Sequence, residues 1–411
     1  MSARLWVVSE LYYPEETSTG YLMTRIAEGL ADGVDVHVLC SQPTYSARGL
    51  RASNREVRKG VLIRRCLSMT LDRTSHIYRA LNAITIVVSI WFAAVVSVRR
   101  TDYLLVVTNP PLLPFVAATV ARLRRVPLIL LVHDVYPDAL TASGLISRTG
   151  FLGRLLRQLS RWIYHSAERT IVLGRDMKRL VETSMRVPSD RIAIIPNWSD
   201  ADTIRPTSRR ENSLLRELRL TEKFVVQYAG NMGYTHGLEC LLSAIADLQS
   251  DETVHFLLIG NGSRKRWLET QARALGLPNI TVLEHRPRTD QQNFLNACDI
   301  AIITFARGMA GVSVPSRMYN ILAAGKAIIA VADSQSELAM MVEDEQLGWV
   351  VAPGEASGIV RAVNSARRQP DLLAEMGRRA RVVAERYSLS SAVTAYRTLM
   401  VDMRPATAER R

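Results

Sequence analysis

Short apolar runs recur along the chain, separated by longer stretches in which apolar residues return every third or fourth position. Residues 4–9, 34–40, 61–64, 103–108, 128–132, 170–173 and 191–195 read as strands, and 224–229, 254–259, 280–283, 300–304, 327–331 and 349–351 repeat the pattern. The stretches between them carry helical periodicity, as at 21–30, from the N-P-P at 109–111 to 122, and at 151–167, whose apolar face is backed by arginines. Three helices close the chain, over 357–367, 371–386 and 390–403. Strand and helix alternate throughout, which predicts an α/β protein with doubly wound parallel sheets. Residues 128–132 form an apolar strand whose carboxyl end delivers His133 and Asp134, either where open parallel sheets bind ligands or simply as a cap on the following turn.

The 19 residues 80–98 interrupt this regularity, running nearly all apolar between Arg79 and Arg99. As a helix they cover about 28 Å, enough for a bilayer core. A span would put the flanking strands on opposite sides of a membrane, where they could not share a sheet. A crossover helix, buried or with one edge in the interface, is therefore expected.

A chain of 411 residues exceeds one hydrophobic core and suits two domains of roughly 200 residues. We place the first at 1–204, an arginine-rich polar linker at 205–222 and the second at 223–387. The four cysteines are scattered without a C-x-x-C, which argues against a zinc site or a disulfide framework. The first apolar run is too short for a signal peptide. Net charge is +13, of which residues 1–200, with 26 Lys/Arg against 16 Asp/Glu, contribute +10. A basic first half suits an anionic membrane or an acidic acceptor, while no helix-turn-helix, zinc or RNA-recognition signature points to nucleic acid. A charged tail occupies 404–411.

The chemistry centres on V-P-S-R-M-Y-N-I-L-A-A-G-K-A-I-I-A at 314–330. Pro315 and Ser316 suit a first helical turn, Gly325 a helix end, and the apolar run after it a buried strand. A helix N-terminus leaving a parallel sheet favours anions, and Arg317 adds a full charge. A plain capped helix is the simpler reading of this stretch taken by itself. The D-A-D of Asp200, Ala201 and Asp202 reads as a solvated turn rather than a metal site. G-x-G-x-x-G is absent, since Gly260 and Gly262 are followed by Lys265 where the third glycine would stand, and this disfavours a dinucleotide enzyme.

The ordered set V-V-Q-Y-A-G-N-M-G-Y-T-H-G-L-E (225–239), L-L-I-G-N-G-S (257–263), L-E-H-R-P-R (283–288) and the 314–330 stretch resembles the donor half of family 4 glycosyltransferases of the GT-B fold. Y-Y-P-E-E-T-S-T-G (12–20), H-D-V-Y-P-D (133–138) and I-P-N-W (195–198) extend the likeness over nearly the whole chain, closest to the branch that builds bacterial O-antigen, capsule and exopolysaccharide. The resemblance implies two Rossmann-like domains facing a cleft, with the final segment, 388–411, returning to the first domain. It implies retaining transfer from a nucleoside diphosphate sugar, most simply a UDP-sugar, to a glycan or a polyprenyl-diphosphate-linked glycan. No metal and no cofactor beyond the donor are expected, and the enzyme would work peripherally at the cytoplasmic face of the plasma membrane.

By that resemblance Arg317, His133 and Asp134 carry catalysis. Gly20, Gly230, Asn231, Gly233, His236, Pro315, Ser316 and Asn320 approach the donor, with Arg264 and Arg286 as further phosphate candidates. Three positions depart from the family pattern. Val312 and Asn320 stand where a Glu-x7-Glu pair is common, Asn231 and His236 where an arginine and a lysine are, and Thr108 where some members have a histidine. Rival readings are a sugar-nucleotide epimerase of the same fold and a non-catalytic nucleotide-sugar-binding module.

Overall fold

The computed structural model describes residues 3–43, 49–67 and 76–403, so the charged tail at 404–411 lies outside it. The chain forms two units, one of Met1–Asp138, Ser147–Pro196 and Leu389–Arg411, the other of Ala139–Ile146 and Asn197–Ser388.

In the first unit, strands β1 (Arg4–Val8), β2 (Asp35–Cys40), β3 (Arg55–Arg58), β4 (Val61–Arg65), β5 (Tyr103–Val107), β6 (Leu128–Leu131), β7 (Arg169–Val172) and β8 (Ile192–Ile194) make one sheet. Its order is β3-β4-β2-β1-β5-β6-β7-β8, so the strand order reverses between β1 and β5. All neighbours are parallel except β3 with β4. The sequence pattern missed β3. Its R-E-V-R is too charged to read as core, yet it is an edge strand, where charge blocks further pairing. Lys59 and Gly60 both adopt positive φ, 45° and 79°, in the two-residue turn that joins it to β4.

Helix α1 (Ser18–Leu30) begins three residues earlier than the periodicity suggested, because the Thr17 hydroxyl caps it by accepting from the Gly20 amide at 3.2 Å. Gly20 therefore lies in the first helical turn rather than in a loop. The apolar 80–98 stretch is indeed a crossover helix, α2 (His76–Ser97), followed by α3 (Leu113–Arg124) and α4 (Phe151–Ser166). The final helix, Leu389–Asp402, joins this unit by packing on α1, where Arg397 Nη2 donates to the Gly29 carbonyl at 2.9 Å.

The second unit holds β9 (Phe224–Ala229), β10 (Val254–Ile259), β11 (Ile280–Leu283), β12 (Ile300–Thr304), β13 (Ala327–Val331) and β14 (Gly348–Val351). They run parallel in the order β11-β10-β9-β12-β13-β14, the dinucleotide-fold arrangement with its switch between β9 and β12. Tyr228, Phe256, Ile302 and Ile329 from the strands meet Leu241, Ile245 and Ile359 from the helices in one core.

The expected linker at 205–222 is a correction: it is packed into this second unit. Arg209 pairs with Asp299 and donates to the Leu220 carbonyl at 2.8 Å. Asn212 caps the short helix Ser213–Glu217 and donates to the Asn293 carbonyl at 2.8 Å, while Leu214 and Leu215 are buried. Polar composition misled because these side chains bond inward instead of meeting solvent.

Asp102 fastens the amino-terminal edge of the first sheet. Its buried carboxylate accepts from Arg4 Nη2 at 3.1 Å, Trp6 Nε1 at 2.9 Å and the Arg99 amide at 2.9 Å. Asp102→Ala leaves these donors without their acceptor and is expected to cost about 3 kcal/mol in urea denaturation. A loss below about 1 kcal/mol would show that water replaces the carboxylate.

Candidate active site

The switch point of the second unit gathers several of the sequence candidates. Beyond β9 the chain turns at Gly230, whose φ of 153° suits glycine, and whose position faces the Arg317 side chain. A Cβ there would fall 2.4 Å from Arg317 Nη1 and 3.0 Å from its Cδ, so only glycine lets the arginine lie against the backbone. The guanidinium carbon sits 4.7 Å from the centre of the Tyr228 ring, and Nη1 donates to the Tyr228 hydroxyl at 3.4 Å. That hydroxyl in turn donates to the Asn231 carbonyl. Nε and Nη2 of Arg317 are buried and bond no described residue. A buried guanidinium with two idle donors is costly, and an anion would satisfy it.

Neighbouring loops hold this arrangement. A Cβ on Gly260 would lie 1.9 Å from the Gly230 carbonyl oxygen, and one on Gly262 would lie 2.3 Å from that of Met232. These two glycines therefore let the loops after β9 and β10 stack backbone on backbone, which explains why the pair needs no third glycine. Thr304 Oγ1 donates to the His236 carbonyl, and the Ala306 amide donates to that of Thr235 at 2.9 Å, joining the loops after β9 and β12. Asp333 secures the next segment by accepting from the Gly308 amide at 2.9 Å and the Ala310 amide at 3.4 Å. Burial, with the Arg317 charge adding to it, pushes the His236 imidazole down to about 3, so it is neutral at physiological pH.

Helix α5 (Leu238–Asp247) follows this loop, and α6 (Arg317–Ala323) carries Arg317 as its first residue. Pro315 and Ser316 thus precede the helix instead of forming its first turn. Ser316 takes the cap position without a side-chain cap bond, and Met318 N donates to the Pro315 carbonyl at 3.1 Å. A side chain at Gly233 would meet Asn231 Nδ2 at 3.0 Å and His236 Nδ1 at 3.3 Å. Asn231 itself is exposed, and Val312 is buried.

Three expected members are engaged elsewhere. Asn320 accepts from the Asp200 amide at 2.8 Å and donates to Asp200 Oδ2 at 3.2 Å and Gln291 Oε1 at 3.3 Å. Arg264 pairs with Glu239 and stacks 3.9 Å from the Trp267 ring centre, and Arg286 pairs with Asp290. The D-A-D does lead into a turn at 201–203 with Asp202 exposed, while Asp200 is held by Asn320 and also faces Arg288 at 3.7 Å.

In the first unit, His133 and Asp134 follow β6 as expected. The Thr108 hydroxyl, at the end of β5, accepts from the His133 amide at 3.0 Å and the Asp134 amide at 3.2 Å. Sequence reasoning treated Thr108 only as a missing histidine; its short hydroxyl is the clamp that places the pair. His133 Nδ1 lies 3.4 Å from Thr19 Oγ1, while its buried Nε2 has no partner among the described residues. Burial pushes this imidazole down to about 4. The turn at Gly20 supports Thr19, because a Cβ on Gly20 would lie 2.7 Å from the Glu15 carbonyl oxygen. Tyr228, Thr108 and Thr19 are the contributors that the sequence reading missed, each a short or aromatic side chain in a motif read for its neighbours.

Two family models match the chain, a glycosyl transferase 4-like domain over residues 19–198 and glycosyl transferases group 1 over 211–383. The chain is 32% identical over 266 residues to the probable glycosyltransferase WbjE of Pseudomonas aeruginosa, covering 65% of this chain and 66% of that protein. It is 26% identical over 390 residues to the putative colanic acid biosynthesis glycosyl transferase WcaI of Escherichia coli K12, covering 91% and 94%. Its fold matches Anabaena Alr3699/HepE, solved in complex with UDP, with a TM-score of 0.72 at 16% identity over 98% of this chain and all of that one. WaaG, a glycosyltransferase involved in lipopolysaccharide biosynthesis, matches with a TM-score of 0.71 at 16% identity over 95% and 98%. Fold, domain models and relatives agree that the chain belongs to the family 4 glycosyltransferases of the GT-B fold.

Proposed function

We propose that this glycosyltransferase moves a sugar from a nucleoside diphosphate sugar, a UDP-sugar first among them, to a glycan or polyprenyl-diphosphate-linked glycan, with retention of configuration, in the assembly of a bacterial cell-surface polysaccharide. The observation that carries the donor half is Arg317, buried over Tyr228 with Nε and Nη2 unmatched beside a backbone that only glycine could form. The UDP complex of the Anabaena protein and the colanic acid assignment of the E. coli relative support the substrate class. Both family models describe glycosyl transferase domains, which favours transfer over epimerisation.

In same-face transfer the bond from the sugar C1 to the β-phosphate oxygen breaks as the acceptor oxygen bonds C1. The acceptor proton passes to the departing phosphate. The protein's part is electrostatic, and Arg317 supplies positive charge where the phosphate gains negative charge. Gly230, Asn231, Gly233, His236, Pro315 and Ser316 complete the proposed donor surface; Asn320, Arg264 and Arg286 are left out of it. Neutral His133 offers its free nitrogen to a sugar hydroxyl, with Asp134 beside it. The basic first half attaches the enzyme reversibly to the anionic inner face of the plasma membrane.

Arg317→Ala is expected to weaken UDP binding by about 10- to 100-fold in calorimetry, the range of charge-assisted bonds. Unchanged affinity for UDP, GDP and dTDP alike would remove Arg317 from the site.

Positive charge at the phosphates comes from Arg317, and Asp200 is occupied by Asn320 and Arg288. Transfer is therefore expected to persist in EDTA. Loss of turnover that manganese restores would reverse this conclusion.

Both histidines also set a pH limit. The unfolded chain takes up these protons near an ordinary histidine value of about 6.5, the folded chain only near 4 for His133 and 3 for His236. Their contribution to stability is intact above about 6.5 and is lost as pH falls toward 4. His133→Gln should flatten the fall in Tm across that window. An unchanged slope would mean that His133 is solvated.

A further inference from the structure

We propose that α2, α3 and α4 form one membrane-insertion face on the first unit, seated in an anionic bilayer by apolar side chains and not by charge alone. This rests on the membrane attachment proposed above and deepens it from electrostatic contact to insertion. Along α2, Leu81, Ile84, Val88, Phe92 and Val96 fall at helical spacing on one side and are all exposed, Val96 at 78% and Phe92 at 59%. Ile86, Ile90, Ala93 and Ala94, on the opposite side, are buried. A crossover helix covering a sheet needs only the second set, and its outer side is ordinarily polar.

The stripe continues across neighbouring helices. Trp91 Nε1 donates to Thr119 Oγ1 at 3.1 Å, joining α2 to α3. Phe115 and Trp162 rings lie 5.3 Å apart and Arg122 stacks 5.0 Å from the Trp162 ring, joining α3 to α4. On these helices Phe115, Leu123, Phe151, Leu152 and Leu155 are exposed as well. Exposed apolar side chains in this number, on helices packed against one another, mark an interaction site.

Charge identifies the occupant. None of the three helices contains an aspartate or glutamate, while Arg99, Arg100, Arg122, Arg125 and Arg154 are exposed on or beside them. A second copy of this chain would bring arginines against arginines, whereas an anionic headgroup layer with hydrocarbon behind it matches both features. No helix among the described residues is long and apolar enough to cross a membrane. The strands β4 and β5 that bracket α2 in the chain belong to one sheet, so α2 lies in the interface instead of spanning it.

The test is sedimentation of the full chain with phosphatidylglycerol–phosphatidylcholine vesicles, at low salt and at about 1 M salt, where the Debye length is about 3 Å. Wild type should bind at low salt and keep a measurable bound fraction at high salt. The double variant Phe92→Asp with Val96→Asp should partition at least 10-fold less at both, whereas Arg99→Ser with Arg100→Ser should weaken binding at low salt toward the high-salt level and leave the high-salt fraction unchanged. Calorimetry with UDP on every variant separates the readings, since unchanged UDP affinity with lost vesicle binding isolates the surface from the donor site. Equal vesicle binding by wild type and the Phe92/Val96 variant overturns the proposal. So does binding that salt abolishes completely, and so does a wild-type dimer in ultracentrifugation that the same variant dissolves.

Discussion

The second unit is organised around the demand of one guanidinium for neighbours. Arg317 must lie flat against the chain beyond β9, and this requires a residue without a Cβ at 230 and an aromatic face at 228. The loop carrying Gly230 must then be held from behind. Gly260 and Gly262 do this by letting a second loop approach to backbone contact, which any side chain would prevent. Thr304 and Ala306 hold the same loop from the β12 side. Three closely stacked loops thus support one side chain that still leaves two nitrogens unbonded among the described residues. Such an arrangement is costly as pure structure and reasonable as a preorganised anion site, because the cost of desolvating the charge is met before the ligand arrives.

The same economy appears in the uncharged groups. Burial holds both His236 and His133 neutral, and the Arg317 charge adds to the effect at His236. A neutral imidazole can act as hydrogen-bond donor or acceptor according to its tautomer. Among the described residues Arg317 makes no ion pair with a carboxylate, so its charge is not neutralised within the fold.

The fold was legible because parallel strands buried on both faces write themselves as apolar runs, as A-I-I-A-V of β13 shows. What could not be read were elements whose stability lies in contacts distant along the chain. β3 is charged and exists because β4 pairs with it. The 205–222 segment is polar, and only Asp299 and Asn293, some 80 to 90 residues later, turn it into packed structure. At the candidate site, motif reasoning singled out Arg317, Gly230 and His133 by their chemistry. The fold sets Arg317 against Gly230 and leaves a buried His133 nitrogen without a partner among the described residues. Motif reasoning could not foresee that Asn320, Arg264 and Arg286 each bond a carboxylate, because a sequence shows that a donor is present but not what lies beside it. It undervalued Thr108, whose part depends on the register that sets the end of β5 beside the end of β6.

Charge distribution carries a similar lesson about counting and placement. The excess of +10 in the first 200 residues follows from composition, yet a solvated arginine surface would give the same number. What separates the two cases is where the carboxylates are. In the first unit Glu28 faces Arg58, Arg25 and Lys59, Glu56 faces Arg65, and Asp138 faces Arg157, so several acids are spent on internal partners. The helices α2 and α3 receive none, and their exposed positions are filled by aliphatic, aromatic and arginine side chains. An evenly charged soluble surface would scatter its acids among its bases. Their exclusion from one face, together with apolar residues that a crossover helix does not need there, makes that face chemically distinct from the rest of the unit.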